Sequence, residues 1–288
     1  MVLVLSKTDD IPDFITHVVE VNDRTVAPKV TREEYLDNLQ AVTLPSLADD
    51  KRLSILQLPA RTDDYMAEEV VAMRQVTIRY GERTILKDLS WTVRNGERWA
   101  LRGENGAGKT TLLSLICADN PQSYACDIAL FGRQRGSGES IWDIKRHIGY
   151  VSPEMHRSYH RDLPAIRIVA SGLKDTIGLY AVPTEEEYRQ CRWWMEVFGI
   201  GELADRSFLQ MSTGEQRLVL LARAFVKDPE LLILDEPLHG LDDANRQMVK
   251  EIIDTFCQRP GKTLIMVTHY EEELPTCIDH TLFLKKNQ

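Results

Sequence analysis

Residues 103–110 read GENGAGKT, a complete match to the pattern GxxxxGK[ST]. Glycines at these places let successive backbone N–H groups turn toward phosphate oxygens, and a helix that starts behind the loop points its positive dipole end at them. In this pattern Lys109 reaches the β- and γ-phosphates, and the hydroxyl of Thr110 is a ligand for Mg²⁺. An apolar run, RWALR (98–102), precedes the loop and a helical run (110–118) follows it. We therefore expect a nucleotide phosphate site, rather than a plain glycine turn between a strand and a helix.

Two carboxylates follow the apolar run LLIL (231–234). Asp235 ends that run, where its carboxylate can hold the magnesium shell. Glu236 beside it is placed to act as general base on an attacking water. Adjacent carboxylates at the end of a buried strand are costly unless a cation or a substrate uses them. We predict that the pair completes the same site, the alternative being a purely structural pair.

The alternation of strand and helix patterns predicts an α/β fold. LLIL and a second run, TLIMV (263–267), are continuously apolar, which is typical of strands in a parallel sheet covered on both faces. Residues 71–80 and 86–93 form a β-rich opening with a turn around Gly81. The clearest amphipathic helix is EEEYRQCRWWMEVF (185–198).

A signature segment narrows the family. Residues 211–217 read MSTGEQR, shortly before LLILDEP. This segment resembles the LSGGQ-type signature of ATP-binding cassette (ABC) proteins, and the order of the motifs is that of the same superfamily. Met211 replaces the leucine, Thr213 the first glycine and Glu215 the glutamine.

The resemblance implies a fold, two ligands and a partner. The fold is a P-loop NTPase (RecA-like) α/β core with an antiparallel β subdomain and an α-helical signature subdomain. We expect this cassette over residues 71–288, with the helical subdomain at about 155–215. The implied ligands are ATP and Mg²⁺. The implied partner is a second cassette, as a homodimer or in tandem, because in the family the signature of one cassette closes over the nucleotide held by the other.

The family's site residues carry over by position. Ser212 and Gly214 match the signature residues that meet the γ-phosphate of the opposing cassette, although the Cβ of Thr213 between them narrows the approach of the backbone. Tyr80 matches the aromatic residue that stacks on adenine, the alternative being a packed tyrosine at a strand end. His269 matches the switch histidine, which hydrogen-bonds the γ-phosphate and the attacking water.

These assignments give three sets of site residues. The catalytic residues are Glu236, His269 and Lys109. The nucleotide-binding residues are Tyr80, Gly103, Glu104, Asn105, Gly106, Ala107, Gly108, Lys109, Thr110, Thr111, Ser212 and Gly214. The magnesium residues are Thr110, Asp235 and Glu154. In addition, Gly240–Asp242 resembles the loop that contacts the other cassette.

One position departs from the family pattern. After IGYV (148–151) the family has a glutamine that senses magnesium, whereas this chain has Ser152, Pro153 and Glu154. Glu154 is our candidate for taking that place in the magnesium shell, one residue further along the chain.

An internal repeat links the two ends of the chain. IPDFITH (11–17) parallels LPTCIDH (274–280), and VLVLS (2–6) parallels IMVTH (265–269). We interpret residues 1–21 as the end of a preceding cassette, in which Ser6 or Lys7 stands at the place of His269. Coincidence between two strand–turn–helix segments is the alternative.

The residues between the repeat and the cassette are polar. Residues 22–70 have little apolar periodicity, and we interpret them as a linker with one helix near residues 32–40. Further on, RGSGESIWDIKRHIGYVS (135–152) resembles the second cassette of tandem ABC ATPases.

Composition limits the remaining possibilities. A net charge of −9 gives no strong nucleic-acid signal. The five cysteines lack ligand-like spacing, which favours reduced thiols over a disulfide framework or a zinc site. No stretch reaches the roughly 18 apolar residues of a membrane span, and MVLVLS (1–6) is too short for a signal segment. We expect a cytoplasmic protein, or one held peripherally at the inner face of the membrane by a permease.

Three functions stay open at this point. The first is an ATPase of paired cassettes that drives a conformational cycle in a partner. The second is the energy-coupling subunit of a membrane importer, for molybdate or another metal. The third is an ATP-dependent binding switch with little turnover. A P-loop kinase is a weaker rival, because MSTGEQR and VTH (267–269) have no role in one.

Overall fold

The computed structural model describes residues 2–4, 11–22, 25–41, 46–59, 67–159, 162–176 and 182–286. The strands are β1 (His17–Val18), β2 (Val21–Asn22), β3 (Thr25–Val26), β4 (Val30–Thr31), β5 (Glu69–Tyr80), β6 (Arg83–Arg94), β7 (Arg98–Gly103), β8 (Asp127–Leu130), β9 (Arg133–Gln134), β10 (Ile148–Val151), β11 (Leu231–Asp235), β12 (Thr263–Val267) and β13 (His280–Leu284). The helices are α1 (Arg32–Ala41), α2 (Asp49–Leu56), α3 (Lys109–Ile116), α4 (Ile141–Lys145), α5 (Pro153–Ser158), α6 (Ala165–Ser171), α7 (Glu185–Val197), α8 (Thr213–Phe225) and α9 (Asp243–Cys257).

A parallel sheet of five strands, in the order β10–β11–β12–β7–β13, forms the core. Every residue of β11 and β12 is buried. Both strands are continuously apolar apart from the threonine and aspartate at their ends, as expected of strands covered on both faces. In this register Asp235 lies opposite Val267, so the carboxylates that follow β11 and the residues that follow β12 come out at one edge. The predicted α/β core is confirmed.

The antiparallel subdomain is a second sheet, in the order β6–β5–β8–β9. A tight turn with Gly81 at φ +60° connects the long strands β5 and β6, so that Tyr80 pairs with Arg83 across it. This sheet shares a hydrophobic cluster with α3 and with the inner residues of the core sheet. The turn at Gly81 and the two β-rich stretches are where the sequence predicted them.

Helices α5 to α8 form the helical part of the cassette. Thr184 caps α7 with a capping box, in which its hydroxyl accepts from the Glu187 N–H and the Glu187 side chain accepts from the Thr184 N–H. The helix buries its apolar face in an aromatic cluster. The ring centroid of Phe225 lies 5.2 Å from Trp194, 5.4 Å from Phe198 and 5.0 Å from Phe256. This cluster packs α7 and α8 against α9.

The region interpreted as a linker has more structure than its composition suggested. The helix predicted near residues 32–40 is α1, but α2 was not predicted. Ile55 of α2 is fully buried and Leu47 before it is 3% exposed. The Leu47 N–H donates to Glu251 Oε2 at 2.6 Å, and Lys51 Nζ donates to the Glu196 carbonyl at the end of α7 at 2.6 Å. Residues 46–59 are therefore packed onto the cassette.

The two copies of the internal repeat have similar local geometry. The Ile15 N–H donates to the Pro12 carbonyl at 3.0 Å, and the Ile278 N–H donates to the Pro275 carbonyl at 3.4 Å. A strand begins at the histidine that ends each copy, His17 in β1 and His280 in β13. Residues 5–10, which include Ser6 and Lys7, lie outside the described residues.

Candidate functional site

The phosphate loop (residues 103–110) connects β7 to α3 at the edge of the core sheet. Gly103 has φ +151° and Gly108 has φ +100°, conformations that favour glycine. A Cβ on Gly108 would lie 2.9 Å from Leu86 Cδ2, and one on Gly103 would lie 2.5 Å from the Leu284 carbonyl oxygen. Both glycines thus let the loop pass close to neighbouring strands before α3 begins at Lys109.

A cavity of about 430 Å³ opens beside this loop. It brings together most of the predicted site residues, which come from the loop and from the ends of β10, β11 and β12. The predicted residues that line it are Asn105, Gly106, Gly108, Lys109, Thr110, Thr111, Glu154, Asp235, Glu236 and His269. The other loop residues, Gly103, Glu104 and Ala107, complete its backbone without lining the cavity, and Tyr80, Ser212 and Gly214 lie outside it.

Lys109 reaches back over the loop. Its Nζ donates to the Gly103 carbonyl at 2.6 Å and to the Glu104 carbonyl at 3.2 Å. Burial lowers the pKa of Lys109, while the charges of Asp235 and Glu236 act in the opposite direction. The ammonium group of Lys109 is held only by neutral carbonyls, so it is well placed to donate to phosphate oxygens in their place.

Glu236 and His269 both line the cavity and contact each other. His269 Nε2 lies 3.2 Å from Glu236 Oε1. Glu236 has φ +49°, a strained conformation for a non-glycine residue, and its N–H donates to the Val267 carbonyl at 2.9 Å. The neighbouring strand thus fixes the backbone of the proposed base, and the histidine after that strand contacts its carboxylate.

Burial and neighbouring negative charges disfavour the ionised form of Asp235. It is 8% exposed, and burial, with the charges of Glu154 and Glu236, raises its pKa to about 6 against Lys109 and Arg217. Glu154 is the largest charge acting in that direction, so the structure brings it into the same acidic site.

The oxygen donors of this site suit a magnesium ion. Among the described residues, no group of three or more histidine, cysteine, aspartate or glutamate side chains can hold a metal ion by itself. Mg²⁺ keeps few protein ligands and takes the rest from water and substrate phosphates. The hydroxyl of Thr110 and the carboxylates of Asp235 and Glu154 line one cavity and fit that requirement.

Tyr80 lies at the end of β5, beside the cavity. Its hydroxyl accepts a hydrogen bond from Asn120 Nδ2 at 3.0 Å, and the residue is 52% exposed. About half of the residue is therefore accessible to solvent while a hydrogen bond holds the hydroxyl. Its role as an adenine platform stays a prediction.

The signature segment (residues 211–217) contains the start of α8 and lies outside the cavity. Ser212 caps α8 with a capping box, in which its Oγ accepts from the Glu215 N–H at 3.2 Å and Glu215 Oε2 accepts from the Ser212 N–H at 2.6 Å. Glu215, which replaces the family's glutamine, therefore stabilises the start of α8 as part of the capping box. Ser212 and Thr213 are exposed, and neither lines the chain's own cavity.

Three residues that line the cavity were not among the predicted site residues: Arg83, Ile85 and Pro153. Arg83 is exposed, and its Nη2 lies 3.7 Å from where a Cβ on Gly106 would be. The tight turn after Tyr80 brings β6 back over the loop, and this turn was the only sequence signal that could have pointed to Arg83.

We predict that Arg83→Ala weakens the binding of Mg-ATP about 10-fold, because a charged hydrogen bond to a phosphate or ribose oxygen is lost. Arg83→Lys should lose less. Isothermal titration calorimetry measures both variants, with Arg79→Ala, which changes an exposed arginine on β5, as control. Wild-type affinity in Arg83→Ala would show that Arg83 does not contact the nucleotide.

The pKa of Asp235 predicts a cost in stability. Because the folded protein holds this proton more tightly than the unfolded chain, ionisation of Asp235 destabilises the fold as the pH rises from about 4 to about 6. Above that window the cost is complete, on the order of 1–3 kcal/mol. Asp235→Asn should therefore unfold at a higher temperature than wild type at pH 8, without nucleotide or Mg²⁺, and the difference should shrink at pH 4.5.

Thermal unfolding at both pH values tests this, with the exposed Asp205→Asn as control. An Asp235→Asn variant that is less stable than wild type at pH 8 would contradict the prediction.

Comparison with known proteins gives a consistent family assignment. The family model described as "ABC transporter" matches residues 86–239. The chain is 42% identical to the ABC transporter ATP-binding protein ModF of Escherichia coli over 98% of this chain and 58% of ModF. It is 33% identical to an uncharacterized ABC transporter ATP-binding protein of Schizosaccharomyces pombe over 97% of this chain and 56% of that protein. The chain thus spans little more than half the length of these two relatives.

A solved structure agrees with the fold. MJ0796, a bacterial ABC transporter cassette solved as a dimer, superposes with a TM-score of 0.63 at 21% sequence identity, over 75% of this chain and 94% of MJ0796. At this identity the likeness shows the fold alone. Among the described residues, no helix has the length and apolar character needed to cross a membrane.

Proposed function

Because the chain belongs to the ABC transporter family of ATP-binding cassettes, we propose that it binds Mg-ATP in the cavity beside the phosphate loop and hydrolyses it between two paired cassettes. The observation that carries the proposal is the 3.2 Å contact between His269 and Glu236, in the same cavity as Lys109 and Thr110. A bare nucleotide-binding loop needs no such pair, whereas hydrolysis needs a base and a group that orients it.

Each residue has a distinct part in this reaction. Lys109 and the N–H groups of the loop bind the β- and γ-phosphate oxygens and stabilise charge that develops on them. Glu236 accepts a proton from the attacking water, and His269 positions the carboxylate of Glu236 relative to the γ-phosphate. Thr110 and Asp235 would hold Mg²⁺, which neutralises phosphate charge when bound. Most of the catalytic effect is therefore positioning and electrostatics.

The arrangement of the signature segment supports a paired site. Ser212 and Thr213 are exposed at the N-terminus of α8 and lie outside the chain's own cavity. A helix N-terminus binds phosphate oxygens through its backbone N–H groups and its positive dipole end. The capping box uses the N–H groups of Ser212 and Glu215, so those of Thr213 and Gly214 between them would meet a nucleotide held by another cassette. A dimer of the cassette MJ0796 was solved in a post-hydrolysis state with ADP and phosphate.

The second cassette is a second copy of this chain or a cassette joined to it in one polypeptide. Three observations support the tandem form: the chain spans little more than half of ModF, its internal repeat resembles the end of a cassette, and both copies have the same proline-to-isoleucine turn. In that form residues 1–21 are the end of the first cassette and residues 22–70 connect the two.

Release of phosphate from ATP tests the proposed function. We expect Mg²⁺-dependent turnover that rises more steeply than linearly with protein concentration if copies of this chain pair with each other. Phosphorylation of an added acceptor would favour a kinase instead. Tight binding of Mg-ATP with no release of phosphate at any concentration would leave only a binding switch.

A further inference from the structure

Arg217 is a buried arginine on the signature helix α8. It is 5% exposed, and its Nε and Nη1 groups are buried without a hydrogen-bond partner in the described part of the chain. A buried guanidinium whose donors are unsatisfied is costly to the fold. The ATPase mechanism described above does not use this group, so its burial calls for another explanation.

The helix face that carries Arg217 is close to the loop that follows Glu236. A Cβ on Gly214 would lie 3.4 Å from the Gly240 carbonyl oxygen, and one on Gly240 would lie 3.5 Å from Thr213 Cγ2. Arg217 follows Thr213 by four residues and Gly214 by three, so all three lie on one face of the helix. On this face, Thr213 and Gly214 lie against Gly240 and Leu241, which belong to the loop that follows Glu236.

The charges around Arg217 agree with this placement. Burial lowers the pKa of Arg217, and the negative groups that oppose the shift are Glu236 and Asp235. The other charged groups near these carboxylates are Glu154 and Lys109, with His269 in contact with Glu236. Arg217 thus lies close enough to Glu236 and Asp235 for their charges to act on its guanidinium group.

We propose that Arg217 is a positioning residue for ATP hydrolysis, which holds Glu236 and the loop behind it by donating hydrogen bonds to them when the site closes over ATP. The proposal rests on the ATPase function proposed above. A single helix then presents Ser212 and Gly214 to the opposite cassette and, one turn later, holds the base of its own cassette. Engagement of the signature in one site would in this way affect the base in the other.

Three variants separate a positioning role from a structural one. Arg217→Met removes the donors and keeps most of the packing, and Arg217→Lys keeps the charge. Arg223→Met is the matched control, because Arg223 is equally buried on the same helix but donates to Ser171 Oγ and the Thr176 carbonyl. Thermal unfolding reports the structural cost of each change.

We expect Arg217→Met to lower kcat at least about 10-fold while the KM for Mg-ATP changes less than about 3-fold. Arg217→Lys should recover much of the lost kcat. Arg223→Met should lower the unfolding temperature while keeping kcat per folded molecule near wild type. A wild-type kcat in Arg217→Met, or an equal loss in both methionine variants, would overturn the proposal.

Hydrogen exchange keeps this test separate from the test of the ATPase function. If the wild type releases no phosphate, the proposed function fails, but the loop can still be observed. We expect Mg-ATP to protect the amides of residues 236–241 in the wild type and in Arg217→Lys, and not in Arg217→Met. Equal protection in all three proteins would overturn the role of Arg217 even in an active enzyme.

Discussion

Glutamine in place of Glu236 is expected to lower ATP turnover about 100-fold or more, the usual contribution of a general base. The amide cannot accept the proton of the attacking water, although it keeps the size of the carboxylate. The Glu236 N–H bond to the Val267 carbonyl should persist, since it involves only the backbone. Binding of Mg-ATP should therefore survive, and phosphate release and calorimetry on the same sample measure the two effects separately.

The matched control for this prediction is Glu202→Gln, an exposed glutamate of the helical part. It should turn over ATP at the wild-type rate. If Glu236→Gln also hydrolyses ATP at that rate, then Glu236 is not the base, and the contact with His269 has another purpose.

Methionine in place of Lys109 is expected to weaken the binding of Mg-ATP about 10- to 100-fold, because each charged hydrogen bond contributes about 1.5–3 kcal/mol. The side chain now donates to the Gly103 and Glu104 carbonyls and lies near two carboxylates. Loss of its charge would leave phosphate oxygens facing Asp235 and Glu236 with less compensation. Turnover should fall at least as far as affinity.

Calorimetry measures this change, and Lys87→Met on the exposed side of β6 is the control. Unchanged affinity in Lys109→Met would mean that the loop binds phosphate through its backbone alone.

The core sheet and its nucleotide loop were predictable because local patterns determine them. The runs LLIL and TLIMV are short and continuously apolar, which favours buried strands over helices, and the loop pattern requires a strand before it and a helix after it. Glu236 and His269 could also be predicted as residues of one site, because parallel strands in register bring their carboxyl ends to one edge.

What the sequence could not predict depends on contacts between distant segments. Helix α2 has a polar composition and no strong period, and its place depends on Ile55, Leu47 and a bond from the Leu47 N–H to Glu251. Arg83 reaches the phosphate loop only through the turn at Gly81, and Arg217 is a buried group on a helix whose sequence resembles an ordinary signature. Such residues become visible only when the fold places them beside the site.

The signature segment was predictable from the sequence only in part. Its departure from the family pattern raised doubt about Thr213, whose Cβ narrows the backbone. In the structure the Thr213 side chain lies against Gly240, on the side of the loop of the same chain. We therefore still expect Ser212, which is exposed, and Gly214, which is half-buried, to contact a partner cassette.

Mixing two inactive variants tests the paired site most directly. Lys109→Met damages the phosphate loop and Gly214→Asp damages the signature. In a mixed pair, one closed site therefore combines the intact loop of the Gly214→Asp chain with the intact signature of the Lys109→Met chain. We expect each variant alone to be inactive, and an equal mixture to recover up to about a quarter of wild-type turnover, since about half of the pairs are mixed and each has one intact site. Wild-type turnover by Gly214→Asp on its own would contradict the account, because the signature would then contribute nothing to hydrolysis.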